Sequence, residues 1–261
     1  MPELVGIILV NLVVLLTLVT ALWAVSVRIR DASVVDIFWG IGFIVVAWTS
    51  RLQLDAPSPE SIVLPIAATL WGLRLAVYLA RRNLGHGEDR RYAAMRKARP
   101  TSFNLWSLFA IFWFQGILCL VIALPLQVGQ WTPRAAPGFT PLEVIGLVVF
   151  AFGLTWQTIA DAQLAAFKAN PDNKGKVMDR GLWRYSRHPN YFGEAVLWWG
   201  LWLVVAALPD TLWTIVGPLL ITLLLLKVSG VSLLEKTIVD RRPAYADYIR
   251  KTNAFIPGPP R

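Results

Sequence analysis

Two pairs of polar side chains lie at the edges of apolar segments, and the members of each pair are one helical turn apart. Gln157 and Asp161 close one such segment, while Asn190 and Glu194 open the next one. Residues at positions i and i+4 share a helix face, so each pair presents an amide and a carboxylate together. Lipid penalises such groups, which therefore usually face a bundle interior or a wet cavity. The pattern predicts a polar pocket.

Further ionisable side chains lie in the same half of the apolar segments. Asp36 lies near the start of one segment, and Arg74 and Tyr78 share a face near the end of the next. A structural ion pair between Asp36 and Arg74 is an open alternative. Asp161 and Glu194 have a similar alternative, because either carboxylate could pair with a basic residue of the adjacent loop, such as Arg187 or Lys168.

The combination of these groups suits a particular kind of ligand. Acids and amides would lie inside the pocket, Lys and Arg at its mouth, and Tyr and Trp in its walls, which favours a large anionic cofactor with its phosphates outermost. A metal centre is not expected, because the chain has two histidines, His86 and His188, without ligand spacing, and one cysteine, Cys119.

The elements that must position these residues are membrane helices. The chain is 56% hydrophobic and 16% charged, which is far from the balance of a soluble protein. A helix of about 20 apolar residues is needed to cross a bilayer. We therefore predict an all-α, polytopic integral membrane protein that forms one domain over residues 1–261. Its seven predicted transmembrane helices are Leu4–Val27, Ala32–Ser50, Ser61–Ala80, Leu105–Val128, Leu142–Ala162, Pro189–Leu208 and Thr211–Leu234.

The distribution of charge predicts the orientation of these helices. Most Lys and Arg residues lie in every second loop and in the C-terminal tail, whereas the alternate loops hold Arg51 and Arg134. Basic loops usually remain in the cytoplasm, so the N-terminus is expected outside and the C-terminus inside. The net charge of +9 is thus an orientation signal and a contact with anionic membrane lipids. No nucleic-acid partner is expected.

Several stretches of the chain resemble a known family. "GLWRYSRHPNYFGE" (181–194) and "AYADYIRKTNAFIP" (244–257) look like the C-terminal signature of the steroid 5-alpha-reductase superfamily, and "DIFWGIGF" (36–43), "EDRRYAAMR" (88–96) and "SLFAIFWFQ" (107–115) resemble its bacterial membrane branch. The isoprenylcysteine carboxyl methyltransferases are more remotely similar and share the RHP motif.

The resemblance implies a fold of seven helices with NADPH bound between the C-terminal spans and the cytoplasmic loops. Residues 1–128 would then form the substrate side, and residues 142–261 the cofactor side. The positions that match the family's cofactor-binding residues are Arg74, Tyr78, Asp161, Lys168, Lys176, Arg187, His188, Asn190, Tyr191, Glu194 and Arg250. Asn190 together with Glu194 is a reductase feature, which favours NADPH over S-adenosylmethionine.

The same resemblance implies reduction of a carbon–carbon double bond in a lipophilic, steroid-like or other lipid enone. Asp36 would be the catalytic acid, and Trp71 stands where the steroid reductases have a tyrosine near the substrate. A tryptophan cannot relay a proton, so the substrate of this chain need not be a steroid. The alternatives are a lipid or isoprenoid methyltransferase and a non-catalytic lipid-binding protein. The expected location is a bacterial inner membrane, or the endoplasmic reticulum in a eukaryote.

Overall fold

The computed structural model describes residues 2–228 and 243–261, and every regular element within those ranges is helical. The predicted all-α class is confirmed for this part of the chain. The α-helices are α1 (Pro2–Ile29), α2 (Val34–Leu52), α3 (Val63–Asn83), α4 (Arg90–Ala98), α5 (Phe103–Ser107), α6 (Phe114–Ile122), α7 (Leu124–Trp131), α8 (Pro141–Ala169), α9 (Pro189–Ala206), α10 (Val216–Leu223) and α11 (Tyr245–Lys251).

Five helical stretches are long and apolar enough to cross a membrane. They are Pro2–Ile29, Val34–Leu52, Pro59–Asn83, Phe103–Ile122 and Pro141–Ala169, which coincide with the first five predicted spans. The sixth predicted span coincides with α9, an 18-residue helix. The seventh begins in the shorter apolar stretch Leu212–Lys227, and its end lies outside the described residues. The count of seven and the orientation stay predictions.

The chain divides into two compact units. The first unit contains Met1–Gly138 and Leu208–Thr214, and the second contains Phe139–Ala207 and Ile215–Arg261. In the first unit α2 and α3 approach each other closely at two glycines. A Cβ atom on Gly40 would lie 2.4 Å from the carbonyl oxygen of Gly72, so only glycine fits there.

A neutral polar network ties α1, α2 and α7 together inside the first unit. The Asn11 amide donates to Ser50 Oγ (2.8 Å) and to Gln127 Oε1 (3.0 Å), and all three side chains are buried. Gln127 donates in turn to the carbonyl of Leu120. Buried polar groups in apolar surroundings require such partners, so the network fixes the mutual positions of these helices.

The second unit is built around the antiparallel helices α8 and α9. Four glycines allow their backbones to touch, because Gly146 faces Gly200 and Gly153 faces Gly193. In each helix the two glycines lie two turns apart, so they follow one stripe of the surface. Small residues at helix interfaces permit this close approach in membranes. We call this contact the glycine seam.

Candidate functional site

Asp36 lies in the first turn of α2, where a carboxylate is favoured by the positive end of the helix dipole. Its side chain is 15% exposed and accepts two short hydrogen bonds. Arg91 Nη2 donates to Oδ2 at 2.6 Å, and the Tyr92 hydroxyl donates to Oδ1 at 2.6 Å. The described partners of Asp36 are therefore Arg91 and Tyr92, whereas the sequence suggests Arg74.

The short helix α4 carries both partners and is fastened to the start of α2. Asp89 caps α4 by accepting from the Arg91 backbone N–H at 2.9 Å, and the Asp89 backbone N–H donates to Ser33 Oγ at 2.7 Å. Glu88 accepts from the Ala32 backbone N–H at 2.9 Å. These contacts close the loop between α3 and α4 onto α2 and place Tyr92 against Asp36.

The surroundings change how the groups on α4 ionise. Burial, followed by the charge of Asp36, raises the pKa of Tyr92 well above its ordinary value, so its hydroxyl stays protonated. Burial acts to raise the pKa of Asp89, but the hydrogen bonds and the charge of Arg91 outweigh burial and lower it. Tyr92 is therefore a protonated hydroxyl beside a fixed carboxylate and guanidinium.

Gln115 extends this chain of hydrogen bonds to a pocket. Its Nε2 donates to the Tyr92 hydroxyl at 3.2 Å, and its side chain lines an apolar pocket of about 220 Å³ within the first unit. Phe38, Trp39 and Cys119 form other parts of the wall. A π-helical stretch, Leu108–Trp113, ends two residues before Gln115, and such wide turns are frequent at functional sites.

Sequence reasoning missed Arg91, Tyr92 and Gln115. The stretches that contain them, "EDRRYAAMR" and "SLFAIFWFQ", resemble the family, but no spacing links them to Asp36. The contact between Tyr92 and Asp36 joins residues separated by 56 positions. Only the folding of α4 onto α2 reveals it.

Three of the predicted site residues lie together on α3 in the first unit. Trp71 is fully buried, and its ring packs edge to face on Phe43 with centroids 5.2 Å apart. The Arg74 guanidinium carbon lies 5.6 Å from the centre of the Tyr78 ring, so these two residues contact each other as their i, i+4 spacing predicts. The substrate role of Trp71 and the cofactor roles of Arg74 and Tyr78 stay predictions.

The two polar pairs of the second unit meet across α8 and α9. Gln157 Nε2 donates to Glu194 Oε2 at 3.0 Å, and Asn190 Nδ2 donates to Asp161 Oδ1 at 3.0 Å. Asp161, Gln157 and Glu194 are buried. Asn190 Oδ1 is also buried, and it has no hydrogen-bond partner among the described residues. The predicted pairs thus form one cluster that contains an unused acceptor.

The aromatic and basic candidates of the second unit have different surroundings. The rings of His188 and Tyr191 stack in parallel with centroids 5.5 Å apart, at the start of α9. Lys168 and Lys176 lie at and beyond the end of α8, where both are at least partly exposed. Arg250 is exposed and forms an ion pair with Asp247 on α11.

Arg187 holds the C-terminal tail. Its Nη1 donates to the carbonyls of Ile249 and Thr252, and its backbone N–H donates to the carbonyl of Asn253 at 2.8 Å. The side chain is buried, and these acceptors supply partners for its charge. The neighbouring Ser186 Oγ donates to the carbonyl of Phe255 at 2.8 Å. A phosphate contact for Arg187 stays a prediction, next to this observed anchoring of the tail.

Comparison with known proteins found two informative relatives. "Uncharacterized protein C594.04c" of Schizosaccharomyces pombe is 27% identical over 274 residues, which is 95% of this chain and 79% of that protein. "Probable O-methyltransferase ustE" of Ustilaginoidea virens is 41% identical over 51 residues, which is 20% of this chain and 18% of that protein. No solved structure matches the chain.

A family model covers most of the sequence. It is described as "Protein of unknown function (DUF1295)" and matches residues 22–252. The matched range includes Asp36, Tyr92, Gln115 and the polar cluster of α8 and α9. The chain therefore belongs to the DUF1295 family, a steroid 5-alpha-reductase-like family.

Proposed function

We propose that the protein is a membrane-embedded reductase that uses NADPH to reduce the carbon–carbon double bond of a lipophilic enone. One observation carries the proposal: the Tyr92 hydroxyl lies between the Asp36 carboxylate and the Gln115 amide, and Gln115 lines an apolar pocket. The arrangement offers a protonated hydroxyl next to a space suited to a lipid.

Reduction of a conjugated double bond adds a hydride to one carbon and a proton to the other. The negative charge that develops on the substrate oxygen needs a hydrogen-bond donor, which the Gln115 amide provides. Tyr92 then gives its proton to the substrate carbon, and Tyr92 regains a proton from water through Asp36. Arg91 balances the negative charge that remains on this pair.

The second unit has groups that fit the cofactor. The unused acceptor of Asn190 suits an amide N–H, and Asp161 and Glu194 are further acceptors for amide and hydroxyl groups. Lys168 and Lys176 are accessible and basic, as phosphate binding requires. When bound, NADPH would supply the hydride. His188, Tyr191 and Arg250 keep their proposed cofactor roles at the edge of this cluster.

Methyl transfer from S-adenosylmethionine to a lipid or isoprenoid is the second candidate. It is supported by the 51-residue similarity to the probable O-methyltransferase of Ustilaginoidea virens. Methyl transfer moves a carbon group to a nucleophile and has no use for a proton donor. The protonated Tyr92 beside the pocket therefore favours the reductase. We propose an integral location in a bacterial inner membrane.

The test is a ligand screen on the protein purified in detergent. NADPH is expected to raise the melting temperature, and mass spectrometry is expected to detect NADPH released on denaturation, with no effect of S-adenosylmethionine. Stabilisation by S-adenosylmethionine alone would instead establish the methyltransferase. Stabilisation by neither cofactor would contradict both enzymes and leave a lipid-binding protein. Oxidation of NADPH in the presence of lipid enones then measures turnover.

A further inference from the structure

The pocket of the first unit has a single polar side chain at which a ligand could form a hydrogen bond to an amide. Gln115 is half-buried, and Tyr92 is its hydrogen-bond partner among residues 2–228 and 243–261. The other lining residues include Leu15, Phe38, Trp39 and Cys119, and none of the lining residues is charged. The wall is thus apolar with one amide.

The orientation of that amide follows from Asp36. Because the Asp36 carboxylate can only accept, the Tyr92 hydroxyl must donate to it and can accept only from Gln115. The NH₂ end of Gln115 therefore points to Tyr92, as the 3.2 Å contact shows. One N–H of this group and the amide oxygen remain for a ligand. A carbonyl oxygen can accept from the N–H, and a hydroxyl can use both.

The pocket also restricts the charge and size of the ligand. An ionised head group would be buried without a charged partner, which costs several kcal/mol or more. The volume of about 220 Å³ is below the roughly 300–1,000 Å³ of pockets that enclose a drug-sized molecule. It fits one end of a lipid. Gly116 contributes to this size, because its missing side chain leaves the space beside Val19 open.

We infer that the pocket binds the head of a neutral lipid that carries a carbonyl or hydroxyl oxygen, with that oxygen on the Gln115 amide. The inference rests on the proposed function for the role of this lipid as substrate, whereas its binding can be tested without cofactor. Gln115 is thus a recognition residue, and Gly116 limits the width of the ligand.

Cys119 is the only cysteine of the chain and lies in the pocket wall, so its reaction with N-ethylmaleimide reports on occupancy. The probe is a dodecyl-substituted cyclohexanone, and the matched control ligand is dodecylcyclohexane, which lacks the oxygen. Neither molecule is an electrophile for the thiol. Intact-mass spectrometry of the full chain in detergent follows the labelling rate. The ketone is expected to protect Cys119 at about tenfold lower concentration than the hydrocarbon, the preference that one hydrogen bond gives.

Gln115→Leu is expected to remove the preference for the ketone and to keep the weak protection by the hydrocarbon. Ile117→Leu, on the exposed side of the same helix, should behave as the wild type. Gly116→Ala should weaken protection by both ligands, because its Cβ would lie 3.5 Å from Val19 without a clash and take up pocket space. Gly6→Ala, with no neighbour within 4 Å, is its control.

Equal protection by both ligands in the wild type, or an unchanged preference in Gln115→Leu, would overturn the inference. If the thiol does not react without ligand, the rise in melting temperature with each ligand replaces the labelling rate, and equal rises would likewise overturn it. The two proposals fail separately. Protection without NADPH turnover would contradict only the reductase, whereas turnover that is unaffected by Gln115→Leu would contradict only the pocket.

Discussion

Tyr92 donates its hydroxyl hydrogen to the Asp36 carboxylate over 2.6 Å, and this contact joins a loop helix to the start of a membrane helix. Neither residue alone would identify a reaction. Together with Arg91 they form a charged, hydrogen-bonded group next to an apolar pocket. The following experiments separate its chemical role from a structural one.

Replacement of Asp36 by asparagine should lower turnover by about a hundredfold or more, the usual loss when an acid–base group is removed. The amide can still accept from Tyr92, but it cannot take up or return a proton. NADPH should raise the melting temperature of this variant as much as that of the wild type. Asp55→Asn, at an exposed position, is the control. Full turnover in Asp36→Asn would remove Asp36 from the mechanism.

Replacement of Tyr92 by phenylalanine should change the dependence of stability on pH. Burial and the Asp36 charge raise the pKa of Tyr92, so its contribution to stability is complete below the ordinary tyrosine pKa of about 10 and is lost as the pH rises further. The melting temperature of the wild type should therefore fall more steeply above about pH 10 than that of the variant. Tyr185→Phe, at an exposed site, should retain the steep fall. Parallel curves for wild type and Tyr92→Phe would contradict the prediction.

Asn190→Ala and Glu194→Ala should each abolish the stabilisation by NADPH while the protein still folds. Asn190 would lose its bond to Asp161 and the acceptor that we assign to the cofactor, and Glu194 would lose its bond to Gln157. The measurement is the shift of the melting temperature across an NADPH titration. Asn104→Ala, on an exposed surface, is a matched control. Wild-type shifts in both variants would return these residues to a structural role.

Gly153→Ala should destabilise the second unit by about 1–3 kcal/mol, the usual cost of overpacking. The added Cβ would lie 2.5 Å from the Leu197 backbone nitrogen and 2.7 Å from the Gly193 carbonyl oxygen, and neither backbone atom can rotate away. Thermal unfolding in detergent measures the loss. Gly6→Ala should have no such effect, since no atom lies within 4 Å of its Cβ. Equal stability of the two variants would show that the helices can separate at no cost.

Arg187→Lys should release the C-terminal tail. A lysine offers a compact charge on a flexible stem and does not reproduce the planar, multiple donors of the guanidinium that contact the tail carbonyls. Hydrogen exchange at Gly258, whose N–H donates to the Tyr185 carbonyl at 3.0 Å, should become at least several-fold faster. Arg184→Lys at an exposed position is the control. Unchanged exchange would show that the tail is held elsewhere.

The sequence was sufficient for the parts of the fold that lipid dictates. Apolar helices must satisfy their own backbone hydrogen bonds, so length and hydropathy located the five spans. The i, i+4 pairs of the second unit were also predictable, because Asn190 meets Asp161 across neighbouring helices. Helical periodicity carries that information directly.

Contacts made by loops and by neutral amides were not predictable in this way. Tyr92 reaches Asp36 only because Glu88 and Asp89 fasten α4 to α2, and this docking has no periodic signature. Asn11 and Gln127 lie in apolar segments without charge, so a search for costly ionisable groups passed over their network. In both cases tertiary packing decides which polar groups become partners.

The glycine seam has a mechanical consequence for the second unit. Helices that touch through their main chains have no side-chain layer that could absorb sliding or bending between them. α8 and α9 should therefore move as one stiff lever, and any motion that accompanies a reaction cycle must be accommodated by the segments that flank the pair. The cluster of Asp161 and Asn190, just beyond the seam, would keep its geometry throughout such a movement.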